Sequence, residues 1–195
     1  FKPRTDAYSF QGLGLTGLQI TKSMCKDKKM LFVSEVTNMS NFDAVCEYAD
    51  VIQVGSKCMY DVGVLRSLGQ LSKPVLLKRH FGATLREFVQ AADFILSNGN
   101  TNIALCERGI RTFEKDTRFS LDSCGIEWIR KHCRLPIIGD PSHALGETYG
   151  IKQLSRGLVA QGIWGLLIET HPRPEDALSD SKQQLNFEQF RNLYT

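Results

Sequence analysis

Lys73-Pro74-Val75-Leu76-Leu77-Lys78-Arg79 is the stretch on which the fold turns. From Pro74 to Leu77 it is continuously apolar, as a strand covered on both faces of a parallel sheet must be, and it ends in two cations rather than a turn. The same arrangement recurs on both sides of it. Met30–Val33, Val51–Val54, Asn102–Leu105, Leu135–Ile138 and Trp164–Ile168 are equally short apolar runs. They lead into Glu35, Gly55-Ser56-Lys57, Cys106-Glu107-Arg108-Gly109, Asp140-Pro141-Ser142-His143 and Glu169-Thr170-His171 respectively. Between the runs the apolar residues follow helical spacing, as at Phe42, Val45, Cys46 and Ala49, and again at Leu85, Phe88, Val89, Ala92 and Ile95. Asn98-Gly99-Asn100, Gly69 and Gly162 are helix stops.

Strands alternating with helices predict an α/β fold with parallel strands. Six strands fit either an open doubly wound sheet or part of an eight-stranded barrel, which typically needs about 250 residues. Polar side chains after so many different strands are how a barrel assembles a site, whereas an open sheet concentrates them at one switch point. The expectation is a (β/α)8 barrel, present in part, with residues 1–195 forming a single domain.

At 195 residues and 42% hydrophobic, the chain can bury one sizeable core. It holds no run of about 18 apolar residues and no signal-peptide pattern at its start, so neither a membrane span nor secretion is expected. A net charge of +3, with its cations dispersed apart from Lys26-Asp27-Lys28-Lys29, argues for a solvated helix end there and against a nucleic-acid surface. Cys25, Cys46, Cys58, Cys106, Cys124 and Cys133 lack paired spacing, which points to reduced thiols in a cytoplasmic compartment.

Gly12-Leu13-Gly14-Leu15-Thr16-Gly17 satisfies a dinucleotide-binding spacing, but polar, proline-bearing sequence precedes it where a buried strand is required, so a glycine-rich helix entry is expected instead. Lys2-Pro3-Arg4-Thr5 combines two cations and a hydroxyl suited to a phosphate dianion; a solvated terminus is the plainer alternative. Lys57, Lys78, Arg79 and Arg108 are cations at successive strand ends. They would repel one another without an anionic ligand, unless Glu35 and Glu107 neutralise them as structural ion pairs. His143, Glu169 and Asp180 offer an imidazole and two carboxylates near the last two strands, a set suited to Mn, Fe or Zn, with His171 a further candidate. Spacing alone leaves open whether Asp140 and Asp180 merely cap helices and His143 is a hydrogen-bonded core residue.

Taken together, these segments resemble the β subgroup of the type I 3-deoxy-D-arabino-heptulosonate 7-phosphate synthases. The resemblance rests on Lys2-Pro3-Arg4-Thr5, Tyr8–Gly14, Lys73–Arg79, Leu105–Phe113, Asp140–Ala144, His171-Pro172 after Glu169, and Ala177–Asp180. It implies a transferase that condenses phosphoenolpyruvate with erythrose 4-phosphate at the entry to the shikimate pathway, using a divalent metal. It further implies His143, Glu169 and Asp180 as metal ligands, Lys2 as the catalytic lysine, and Arg4 and Thr5 at the sugar-phosphate site. Glu35, Lys57, Lys78 and Arg108 fall at the phosphoenolpyruvate site. Family members are often dimers or tetramers, so a homo-oligomer is implied.

The chain departs from the family at several points. Lys57 stands where Arg is usual, Asp6 where Ser is usual, His80 where Gly is usual, and Leu145 where Thr is usual. The family's cysteine ligand and an arginine of the phosphoenolpyruvate site fall before Phe1, as do the first strand and most of the second. An N-terminal extension carrying them is therefore expected in the intact protein; without it the metal would be held weakly. The departures keep two alternatives open: a related synthase using another aldose phosphate, as the octulosonate-phosphate synthases do, or a divergent inactive homologue.

Overall fold

The computed structural model describes residues 1–2 and 6–193. Its elements alternate as the apolar runs predict: α1 (Gly14–Asp27), β1 (Val33–Val36), α2 (Phe42–Tyr48), β2 (Val51–Val54), α3 (Val62–Gly69), β3 (Val75–Lys78) and α4 (Leu85–Leu96). They continue through β4 (Ile103–Glu107), α5 (Ser123–His132), β5 (Ile137–Gly139), α6 (Pro141–Leu145), α7 (Ile151–Ala160), β6 (Gly165–Leu166) and α8 (Phe187–Arg191). Short 3₁₀ turns occupy Met39–Asn41, Ser56–Cys58, Pro174–Asp176 and Ser181–Gln183.

The strands follow one another across the sheet in chain order, β1-β2-β3-β4-β5-β6. Val33 to Val36 pairs parallel with Val51 to Val54, and Ile52 to Val54 with Val75 to Leu77. Leu105 to Glu107 pairs parallel with Ile137 to Gly139, and Ile138-Gly139 with Gly165-Leu166. A doubly wound sheet reverses its order at a switch point, whereas a sheet that never reverses is the (β/α)8 arrangement. Two compact units can be described: residues 1–80 with 86–104, and residues 81–85 with 105–195.

In the first unit, β3 is buried along its whole length, as a continuously apolar strand predicts. Helix α4 buries Phe88, Ala91, Ala92 and Ile95 on one face. Each large side chain fully removed from water there contributes roughly 1.5–3 kcal/mol. The first strand begins later than its apolar run predicts: Met30 and Leu31 are 63% and 73% exposed, and the ladder runs instead through Ser34 and Glu35 to Val36. The cause is local. Met30 N–H bonds back to Cys25 O at the end of α1, and Asp50 ties down the link by accepting Phe32 N–H at 2.9 Å and Lys22 Nζ at 2.5 Å. The glycine-rich stretch opens α1, with Gly12 at φ 94° and Gly14 at φ 59°, and Lys28 caps that helix in solvent.

In the second unit, α5 buries Gly125, Ile126 and Ile129, and α7 buries Ile151, Ser155 and Leu158. A Pro at the start of α6 and the Asp140 N-cap define a five-residue helix that leaves the end of β5. No helix among the described residues is long and apolar enough to cross a membrane. All six cysteines are free.

Candidate active site

Strand ends carry the charged residues, and in three cases the strand itself includes them, Glu35 within β1 being the first. Lys78 is the last residue of β3 and Glu107 the last of β4, both buried, at 4% and 0% exposure. A charge is buried at a sheet end only where partners or a ligand compensate its desolvation.

In the first unit, Glu35 accepts a hydrogen bond from Gln53 Nε2 at 2.5 Å, across neighbouring strands. The carboxylate lies directly over Gly55: a Cβ there would stand 1.9 Å from Glu35 Oε1. Gly55 therefore makes the room that Glu35 occupies. Lys57 is exposed in the turn after β2, and Cys58 beside it donates its thiol to Thr37 O at 2.8 Å. Burial pushes the Cys58 thiol up to about 11. Arg79, after Lys78, is buried, and the His80 ring meets Tyr60 edge-on at 5.3 Å. Lys2 donates its backbone N–H to Gln11 O at 3.0 Å. Asp6 holds a local turn by accepting from Ser9 Oγ and Tyr8 N–H. Arg4 and Thr5, expected at the sugar-phosphate site, lie outside the described residues.

The second unit holds the most informative residue. Arg108, immediately after β4, is 3% exposed, and its Nε and Nη1 find no hydrogen-bond partner. Its guanidinium stacks over Phe119 at 4.4 Å, and Phe119 stacks in turn on Phe81 at 5.2 Å. Desolvation holds Arg108 below the usual guanidinium range, with the attraction of Asp140 opposing it. A buried arginine with two open donors can receive an anion, because an unmet charged donor is costly and an incoming oxyanion relieves it.

Nearby in the same unit, Asp140 accepts His143 N–H at 2.9 Å as the α6 N-cap, and its Oδ2 lies 2.7 Å from His143 Nδ1. The ring N–H does not aim squarely at that oxygen, so this is a close electrostatic contact rather than a linear hydrogen bond. It turns the opposite nitrogen outward: His143 Nε2 stands 3.4 Å from Glu169 Oε1. Glu169 is anchored by its N–H to Ser142 Oγ at 3.1 Å and by its Oε2 to Gln183 Nε2 at 2.7 Å. Asp180, in the left-handed conformation at φ 54°, places Oδ1 3.4 Å from Arg118 Nη1.

His143 and Glu169 thus present an imidazole nitrogen and a carboxylate oxygen to one another, a donor pair that fits Mn, Fe or Zn, with Asp140 behind the imidazole as a supporting carboxylate. Asp180, the third expected ligand, faces Arg118. Among the described residues no set of three His, Cys, Asp or Glu side chains is assembled as a metal site. His171 Nδ1 instead engages the main chain of Arg173, at 3.1 Å from its N–H and 2.7 Å from its carbonyl. Capping and ligation are not exclusive readings of this segment: Asp140 caps α6 and, by doing so, orients His143.

Gln183, Arg118 and Phe119 were not expected from the sequence, and Ser142 only as part of the Asp140–Ala144 motif, without a role of its own. Asp180-x-x-Gln183 does have capping-box spacing, which marks a turn; nothing in that spacing shows that Gln183 reaches Glu169.

A parallel sheet in unreversed order, with helices alternating between its strands, defines the class of β/α-barrel proteins. The chain belongs to the DAHP synthetase I family, whose model matches residues 1–195. It is 47% identical over 193 residues to the phospho-2-dehydro-3-deoxyheptonate aldolase of Thermotoga maritima, covering 99% of this chain and 57% of that protein. A crystal structure of the Thermotoga maritima DAHP synthase superposes with a TM-score of 0.95 at 46% identity, over 99% of this chain and 56% of that one. The 2-dehydro-3-deoxyphosphooctonate aldolase of Francisella philomiragia subsp. philomiragia is more distant, at 30% identity over 91% of this chain and 68% of that protein. The chain spans a little over half the length of the Thermotoga relative.

Proposed function

We propose that residues 1–195 form one partial (β/α)8-barrel catalytic domain of a 3-deoxy-7-phosphoheptulonate synthase. The reaction is the condensation of phosphoenolpyruvate with erythrose 4-phosphate. The observation that carries this reading is Arg108: a buried guanidinium with two open donors demands an anion, and phosphoenolpyruvate brings both a phosphate and a carboxylate. In this reading Arg108, Lys78, Glu35 and Lys57 each serve in binding phosphoenolpyruvate, the role that the family's pattern gives them. Lys2 serves as the catalytic lysine, and Arg4 and Thr5 hold the sugar phosphate. Fixed cations bring two polyanions to reacting distance and so remove much of the entropic barrier.

His143 and Glu169, joined by Asp180, are the residues that would hold a divalent ion of the Mn, Fe or Zn class. When bound, such an ion stabilises negative charge developing on the aldehyde oxygen. The naming of the Thermotoga relative supports erythrose 4-phosphate as acceptor, and the free cysteines support a reducing, cytoplasmic setting. Assembly as a homo-oligomer completes the reading.

The test is phosphate release from phosphoenolpyruvate by the full-length protein, with and without chelator and with a panel of aldose phosphates. Release that requires erythrose 4-phosphate and is abolished both by chelator and by His143→Ala is expected. A preference for a five-carbon aldose phosphate would instead favour an octulosonate-phosphate chemistry, to which His80 against Tyr60 after β3 would then contribute. Metal binding without turnover would sink the enzymatic reading.

A further inference from the structure

We infer that Gln183, set by Arg118, is a positioning residue that holds the Glu169 carboxylate in the orientation needed for cation binding opposite His143. The inference rests on the metal reading above.

Gln183 is 2% exposed, and both ends of its amide are committed. Nε2 donates to Glu169 Oε2 at 2.7 Å, and Oε1 accepts from Arg118 Nη1 at 2.5 Å. An amide can rotate by half a turn and exchange donor for acceptor at little cost in shape. Arg118 forbids that exchange, because a guanidinium has donors only and must face the amide oxygen. The NH₂ end is thereby forced toward Glu169. With Oε2 occupied, Oε1 is the oxygen left facing His143 Nε2 at 3.4 Å.

The backbone supports the same geometry. Leu185 N–H donates to Glu169 O at 3.0 Å and His171 N–H to Leu185 O at 2.9 Å, so the segment carrying Gln183 is pinned alongside the segment carrying Glu169. Gln183 N–H closes the turn onto Asp180 O at 3.2 Å. Arg118 is fixed from the other side: its N–H donates to Leu145 O at 3.2 Å and Phe119 N–H donates to Ala144 O at 2.8 Å, tying it to the helix that bears His143. Gly146, at φ 77°, permits this approach, since a Cβ there would stand 2.6 Å from Arg118 Cβ. Arg118 Nη1 also reaches Asp180 Oδ1 at 3.4 Å. One arginine thus touches the orienter of one candidate ligand and the carboxylate of another.

A neutral amide suits this role. A cation placed directly on Glu169 would compete with a metal for the carboxylate charge, whereas an amide fixes its direction and leaves its charge in place.

The test is Mn²⁺ affinity of the purified full-length protein, measured by electron paramagnetic resonance without substrates, for wild type, Gln183→Met, Arg118→Met, the double variant and His143→Ala. Methionine keeps the volume of Gln183 and removes its donor. Gln183→Met is expected to weaken Mn²⁺ binding about 10- to 100-fold, the usual loss for an outer-shell partner, while thermal stability without metal changes by only a few degrees. Arg118→Met, which frees the Gln183 amide to turn over, is expected to weaken it in the same direction, and the double variant to bind no more weakly than Gln183→Met, because the Arg118 contact with Asp180 does not orient Glu169. Unchanged Mn²⁺ affinity in Gln183→Met, alongside loss of binding in His143→Ala, would overturn this inference and leave the metal reading intact. Unchanged affinity in His143→Ala would overturn both.

Discussion

Replacing Arg108 with methionine should make the protein more stable and nearly blind to phosphoenolpyruvate. Methionine keeps the reach and most of the apolar stem over Phe119, but removes a buried charge whose Nε and Nη1 have no partner. Each unmet buried donor costs about 1–3 kcal/mol. Against that stand the loss of the stacking on Phe119, worth about 2 kcal/mol at a desolvated site, and the loss of the attraction of Asp140. For two such donors the difference leaves a net gain of at most about 4 kcal/mol and about 2 kcal/mol at the middle of the range, and at about 2–4 °C per kcal/mol for a chain of this size Tm should rise by roughly 4–8 °C. Binding moves the other way. Two charge-assisted hydrogen bonds at about 1.5–3 kcal/mol each amount to about 3–6 kcal/mol, or roughly 10²- to 10⁴-fold in Kd. Thermal unfolding with and without phosphoenolpyruvate reads both effects at once, and calorimetric titration supplies Kd. The wild type should be strongly stabilised by the ligand, and the variant should start higher and gain nothing. If Arg108→Met lowers Tm in the absence of ligand, or retains the ligand-induced shift, the view of Arg108 as a buried cation awaiting an anion is wrong.

Two further perturbations follow from the geometry of the first unit. Gly55→Ala would place a methyl carbon 1.9 Å from Glu35 Oε1 and drive that carboxylate off Gln53. Because the obstructed group is the end of a flexible side chain, Tm should fall by only a few degrees, about 1 kcal/mol, while KM for phosphoenolpyruvate rises about tenfold; an unchanged KM would remove Glu35 from the site. Burial pushes the thiols of Cys46 and Cys58 up to about 11 from an ordinary 9.0. The unfolded chain therefore loses these protons first, so their contribution to stability is complete below pH 9 and is lost as pH rises from about 9 to 11. Denaturant midpoints measured across that window should fall, and the fall should be shallower in Cys58→Ala; identical slopes would refute the burial argument.

The alternation of strand and helix was legible because it is a local property: continuous apolar runs and 3.6-residue periodicity report burial within a window of a few residues. β2 coincides with its apolar run, and α4 covers the residues whose spacing announced it. β1 does not, because Met30 and Leu31 form the link from α1, and a composition pattern cannot distinguish an apolar link from an apolar strand. Arg108 and His143 could be nominated from sequence, since Arg108 directly follows β4 and His143 lies in the short helix after β5, where barrels place polar side chains.

What those residues face was decided only in three dimensions. Gln183 reaches Glu169 across 14 residues and Arg118 across 65, distances over which no periodicity carries information. The orientation of His143 depends on Asp140 being the cap of a five-residue helix, and the open donors of Arg108 are visible only once Phe119 covers its face. The sequence by itself determined which side chains stand at strand ends and of what chemical kind. The tertiary structure decided which of them meet, because hydrogen-bond direction and desolvation depend on where the chain returns, and the local pattern does not encode that return.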